Sequence, residues 1–138
     1  MDTQLISDLT SGSGVTVHFR DKADVDSVRI ALSEKGVVVM EIDGSTVGNH
    51  EDLYKAFANC LKMPKGWYGD EEYATNLNAF LEYLDDVEDW VPAAGYLIEF
   101  KNAQIFWSKQ PRLAGWLVEL WQVATNLRDA KPHLVFVW

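Results

Sequence analysis

Glu82 lies within one helical turn of Asp85 and Asp86, and paired carboxylates on a helix can in principle serve as general acid and base. Their neighbourhood argues for a different use. From Gly66 through Phe100 there is no Lys, Arg or His, while Asp70, Glu71, Glu72, Glu82, Asp85, Asp86, Glu88, Asp89 and Glu99 fall in the same window. An active site mixes its carboxylates with other polar groups in a pocket. This window offers an unrelieved acidic face. Trp67, Tyr68, Tyr73 and Tyr83 are interleaved with the acids; aromatics are enriched at interface cores, and a field of one sign speeds encounter with a partner of the other. The pattern therefore predicts docking of a basic protein rather than catalysis.

Other chemistries lack their residues. His18, His50 and His133 are scattered at no ligand spacing and there is no Cys-x-x-Cys pair, so no zinc site is expected and the histidines read as solvated or structural. Cys60 is the only cysteine, on the apolar side of its segment, which excludes an internal disulfide and fits a reducing cytoplasm. Gly12 and Gly14 precede a strand pattern, whereas a phosphate loop must open into a helix whose N-terminus meets the anion. With 21 acidic against 12 basic side chains, a net charge of -9 repels phosphate backbones, so nucleic acid is not an expected ligand. No stretch approaches the apolar length of about 20 residues that crosses a bilayer. No enzyme activity, cofactor or metal is expected.

The elements that must hold the acidic window are legible from periodicity. A chain of 138 residues fits one domain. Residues 1–14 end in Ser11-Gly12-Ser13-Gly14 and read as a flexible arm. Val15, Val17 and Phe19 alternate with Thr16 and His18, the period of a half-buried strand. Val25, Val28 and Leu32 share a helical face between Asp24, as cap, and Gly36. Val37 to Ile42 reads as a central strand closed by Asp43-Gly44. Asn49 caps a helix with Leu53, Phe57, Cys60 and Leu61 inside, ended by Pro64.

A second helix starts near Thr75, with Leu77, Phe80, Leu81 and Leu84 as its apolar stripe. Asn78, Glu82 and Asp85 form an outward column with Leu81 on its border. Tyr96 to Phe100 and Leu134 to Trp138 read as buried strands, separated by a short helix over Asn102 to Trp107 and a longer one after Pro111. In that longer helix Leu113, Trp116, Leu117, Leu120, Ala124 and Leu127 are expected to face inward. Strands alternating with helices imply an α/β fold, a small mostly parallel sheet of three to four strands packed with helices.

The order of motifs resembles the barstar family, cytosolic inhibitors that protect a bacterium from its own secreted ribonuclease. The residues that carry the resemblance are the strand ending in Asp43-Gly44, the helix from Asn49, and Pro64 with Trp67-Tyr68-Gly69. They continue through Asn76-Leu77-Asn78-Ala79-Phe80, which opens the binding helix in that family, and the closing run of strand, short helix, long helix and strand. The resemblance covers about residues 37–138, with residues 15–36 as a strand-helix extension.

It implies a protein that plugs a ribonuclease active site one to one, with carboxylates standing where substrate phosphates bind. By position Glu82 matches the central inhibitory carboxylate, one methylene longer than the usual Asp, and Trp67 or Tyr68 matches the aromatic that lies against the enzyme. The partner-binding set implied is Trp67, Tyr68, Asp70, Glu71, Asn78, Leu81, Glu82 and Asp85. Asn78 stands where the family's inhibitor has an Asp, Leu81 where it has a Trp, and residues 70–75 are an insertion. The expected function is an inhibitor or immunity protein against a cationic toxin, a ribonuclease by the resemblance, acting in the cytoplasm. The alternative is an interaction or regulatory module of the same fold that blocks no nuclease.

Overall fold

A computed structural model of the chain describes residues 2–11, 15–64, 77–128 and 132–138, without the side chains of residues 11, 77–79, 83 and 123–128. In chain order these residues form α1 (Thr3–Ser11), β1 (Val17–Arg20), α2 (Lys22–Glu34), β2 (Val37–Asp43), a 3-10 turn (Gly44–Thr46) and α3 (His50–Cys60). They continue as α4 (Leu77–Trp90), β3 (Gly95–Lys101), α5 (Ala103–Lys109), α6 (Pro111–Arg128) and β4 (Pro132–Val137). The four strands lie in the order β1-β4-β3-β2 and every neighbouring pair is parallel. Helical crossovers make this geometry possible, because parallel strands cannot be joined by a tight turn.

Both sheet faces are covered, and alternation along the strands assigns side chains to each. On one face Leu97, Val135 and Val137 meet Val25, Val28 and Leu32 of α2 and Leu5 and Leu9 of α1. On the other, Tyr96, Ile98, Phe100, Leu134 and Phe136 pack on α3, α4, α5 and α6. Covering on both faces explains why β2 reads as apolar on both sides although it is an edge strand; β3 and β4, not β2, are the inner strands. Periodicity reports burial, and strand order is invisible to it.

Three local expectations are corrected. Residues 3–11 of the segment read as a loose arm are a helix, because Leu5 and Leu9, at i and i+4, reach the sheet and are 0 % and 8 % exposed. The N-cap residue of α2 is Asp21, which puts Asp24 in the first turn. In α6 the inward face is Leu113, Ala114, Leu117 and Trp121, while Trp116 and Leu120 are half-buried. Trp121 is fully buried and its indole N–H donates to the Pro132 carbonyl at 3.3 Å. The stripe through Trp116 and Leu120 is rotated by part of a turn from the observed one; the side chains of Ala124 and Leu127 lie outside the described residues.

The Asp43-Gly44 turn has a steric reason for its glycine. A Cβ on Gly44 would lie 2.6 Å from Phe100 Cε1 and 2.8 Å from the Lys101 carbonyl oxygen, closer than real Cβ atoms approach. Asp43 holds the turn from its other side, accepting from the Ser45 amide at 3.0 Å and from Asn102 Nδ2 at 2.8 Å. Gly44→Ala should therefore cost about 1–3 kcal/mol by overpacking; urea denaturation of the two proteins checks it, and an unchanged midpoint would refute the steric account.

Candidate functional site

Of the acids in the window that are described, Glu82, Asp85, Asp86, Glu88 and Asp89 are carried by α4, whose position depends on α3, while Glu99 belongs to β3. Asn49 caps α3 as its sequence predicts, its side chain accepting the Asp52 amide at 2.8 Å, while the Gly48 amide donates to the Asp52 carboxylate at 3.0 Å. That start directs Leu53, Tyr54, Phe57 and Ala58 into the core, followed by Leu61 just beyond the helix. Phe80, Leu84 and Val87, spaced i, i+4, i+7 along α4, are 0 %, 2 % and 1 % exposed. Phe80 stands edge-on to Phe57 at 5.1 Å and is tilted against Tyr54 at 5.4 Å. At the other end of α4 the Trp90 indole N–H donates to the Leu61 carbonyl at 2.7 Å, tying the helix to the end of α3.

With one side of α4 so fixed, its opposite side is determined. Glu82 is exposed, Leu81 is half-buried at the border, Asp85 and Asp86 are half-buried, and Glu88 and Asp89 are exposed. The outward column drawn from the sequence is thus present at Glu82 and, less exposed, at Asp85. The Asn78 side chain lies outside the described residues, as do Trp67, Tyr68, Asp70 and Glu71 of the preceding segment.

One neighbouring feature escapes sequence reasoning. His50, exposed in the first turn of α3, stands edge-on to Trp116 of α6 with ring centroids 4.5 Å apart, and Tyr54 lies 6.4 Å from each of them. Tyr54 also touches Phe80, so this aromatic group joins α3 and α6 to the start of the acidic helix. Helical periodicity assigned Trp116 to the interior, and His50 read as solvated or structural; only the packing of α6 on α3 brings them together.

The described residues hold little else that could act chemically. Burial pushes the Cys60 thiol up to about 12, so it stays protonated and is no nucleophile. Among the described residues no three His, Cys, Asp or Glu side chains converge as a metal site, and no helix is long and apolar enough to cross a membrane. Glu99, on the inner strand β3, is buried and bound to Arg29 of α2; burial pushes its pKa up while Arg29 opposes. Arg29 also reaches Glu41 at 2.9 Å, and Lys101 meets the same Glu41 oxygen at 2.9 Å. These pairs neutralise one another across the sheet and fasten α2 to it.

Residues 37–137, β2 through β4, match the family described as Barstar (barnase inhibitor). The chain belongs to the barstar family. The family is one of protein inhibitors rather than enzymes. No match to the chain was found among curated proteins. The barstar match leaves out α1, β1 and α2, the elements that add an edge strand and cover one sheet face; α3 and α4 pack on the opposite face.

Proposed function

We propose that this barstar-family protein is an inhibitor or immunity protein that binds a cationic toxin, a ribonuclease, one to one and occludes its active site. The observation that carries the reading is α4. A stripe of buried Phe80, Leu84 and Val87 holds the helix so that Glu82 projects into solvent, within a stretch of sequence free of basic residues. A carboxylate so presented takes the place of a substrate phosphate among the Arg and Lys side chains of a nuclease. Trp67, Tyr68, Asp70 and Glu71, from the segment before α4, and Asn78, Leu81 and Asp85 complete the contact with Glu82. On this reading the protein acts in the cytoplasm, where one free thiol is stable.

The test is co-expression with candidate ribonuclease toxins, scored for rescue of growth. Rescue by the intact protein supports the reading. Binding that leaves nuclease activity intact would reduce the protein to an interaction module of the same fold.

The charge of the surface carries a kinetic prediction. Association with a confirmed toxin should slow markedly between low salt and roughly 0.5 M, where the Debye length falls to about 4 Å. Stopped-flow measurement of the on-rate checks this, and a rate indifferent to salt would count against the acidic face as the docking surface.

A further inference from the structure

The polar side of the run through β1 is dry. Thr16 and His18 are buried at 8 % and 2 % exposure, Val17 is buried toward the other sheet face, and Val15 and Phe19 are each about half exposed at 48 % and 49 %. The cover over the polar side is α1. Asp8, itself 5 % exposed, lies with a carboxylate oxygen 4.0 Å from His18 Nδ1, and Gln4 donates to its other oxygen at 2.9 Å. On its far side His18 Nε2 stands 3.0 Å from Nδ1 of His133 on β4, also buried, with the rings stacked at an interplanar angle of 11°. Polar groups of α1, β1 and β4 thus meet in the interior, with His18 and His133 hydrogen-bonded and Asp8 close by but beyond hydrogen-bond distance of His18.

The geometry limits how many protons this pair can hold. Two ring nitrogens 3.0 Å apart share a single proton, one imidazole donating and the other accepting. A second cationic ring would set two N–H groups head to head and stack two positive charges in a site buried from bulk solvent. The charged groups acting on the pair are Asp8 and Asp2 from the α1 side, which favour a proton, and Arg20 of β1, which opposes it. Arg20 is itself held to Asp2 at 2.6 Å, so the same short segment is fastened to β1 at both ends.

We propose that α1 is an acid-released latch, docked over the buried His18–His133 pair while both imidazoles are neutral and freed when protons must be taken up. Lifting α1 is the least disruptive route to hydrating the pair. The helix has nine residues and is anchored mainly through Leu5 and Leu9, and a helix that short does not stand alone in water. The acidic helix α4 packs on the opposite face, so the latch does not depend on the inhibitor reading.

Burial lowers both imidazoles from 6.5 to about 4 in the docked state. A lowered pKa means that the released state takes up protons first as pH falls. Docking is therefore unaffected above about pH 6.5 and is lost progressively from there down to about pH 4. At pH 5 a shift of that size weakens docking by about thirtyfold for one imidazole alone.

The test is amide hydrogen exchange on the whole protein at pH 7 and pH 5, corrected for intrinsic rates. The expected result is a loss of protection in α1 of about thirtyfold or more, reversed at pH 7, with β3 and α5 unchanged. Replacing the pair with His18→Phe and His133→Leu should abolish the difference. Loss of protection everywhere at once, no loss in α1, or the same loss in the variant would each overturn the latch. Should the variant not fold, NMR titration of the two imidazoles in the natural protein decides: protonation coinciding with α1 release supports it, and titration near 6.5 with α1 still docked overturns it.

Discussion

Phe80→Ala should destabilise the fold by about 3–5 kcal/mol, the usual cost of emptying a buried aromatic site. The ring is fully buried, it meets Phe57 and Tyr54 of α3, and with Leu84 and Val87 it forms the whole apolar stripe described for α4. The cavity would open where three helices converge, because Tyr54 also touches His50 and Trp116, so little flexible material is at hand to fill it. Chemical denaturation with matched slopes for the two proteins measures the loss. A loss below about 1 kcal/mol would mean that α4 is held chiefly by Trp90 and Val87, and that the acidic face is less firmly placed than its packing indicates. Inhibition should suffer only in proportion to the unfolded fraction, since Phe80 cannot touch a partner.

How far the fold could be read follows from what periodicity encodes. Buried faces of single helices were legible: Val25, Val28 and Leu32 in α2, Leu53 and Phe57 in α3, and Phe80 and Leu84 in α4 are all in the core. Strands β3 and β4 were legible because unbroken apolar runs mark a sheet covered on both faces. What failed needed a partner to be known. The buried place of His18 and His133, 115 residues apart, depends on β1 pairing with β4 and on α1 lying over them. Residues 3–11 were hidden for the same reason, since two leucines in a short polar segment signal a helix only when a surface receives them. At the candidate site, spacing located the acidic column on α4 and missed His50 with Trp116, whose contact is made between helices.

Glu82→Ala should cost on the order of 2–5 kcal/mol in affinity for a toxin of the proposed kind, or roughly thirty- to several thousand-fold in Kd, with almost no change in stability. That energy range is drawn in part from a complex of the same family, so it is borrowed rather than derived from this surface. The asymmetry between binding and stability follows from where the side chain stands. In the free protein Glu82 is exposed on α4, with Phe80 and Leu84 on either side of it in sequence directed into the core, and exposed substitutions usually stay within about 0.5 kcal/mol. In the complex its carboxylate would stand desolvated among cations, and truncating it would leave those cations buried without a partner. Glu82→Gln keeps shape and hydrogen-bonding capacity while removing charge; if the carboxylate replaces a phosphate, it should recover only a small part of the loss. Phe80→Ala is the opposite control, losing stability first and affinity only through unfolding. Thermal melts and titration calorimetry on the three variants separate these effects. If Glu82→Ala melts the protein, or binds a confirmed toxin as tightly as the natural chain, the inhibitory surface lies elsewhere than on α4.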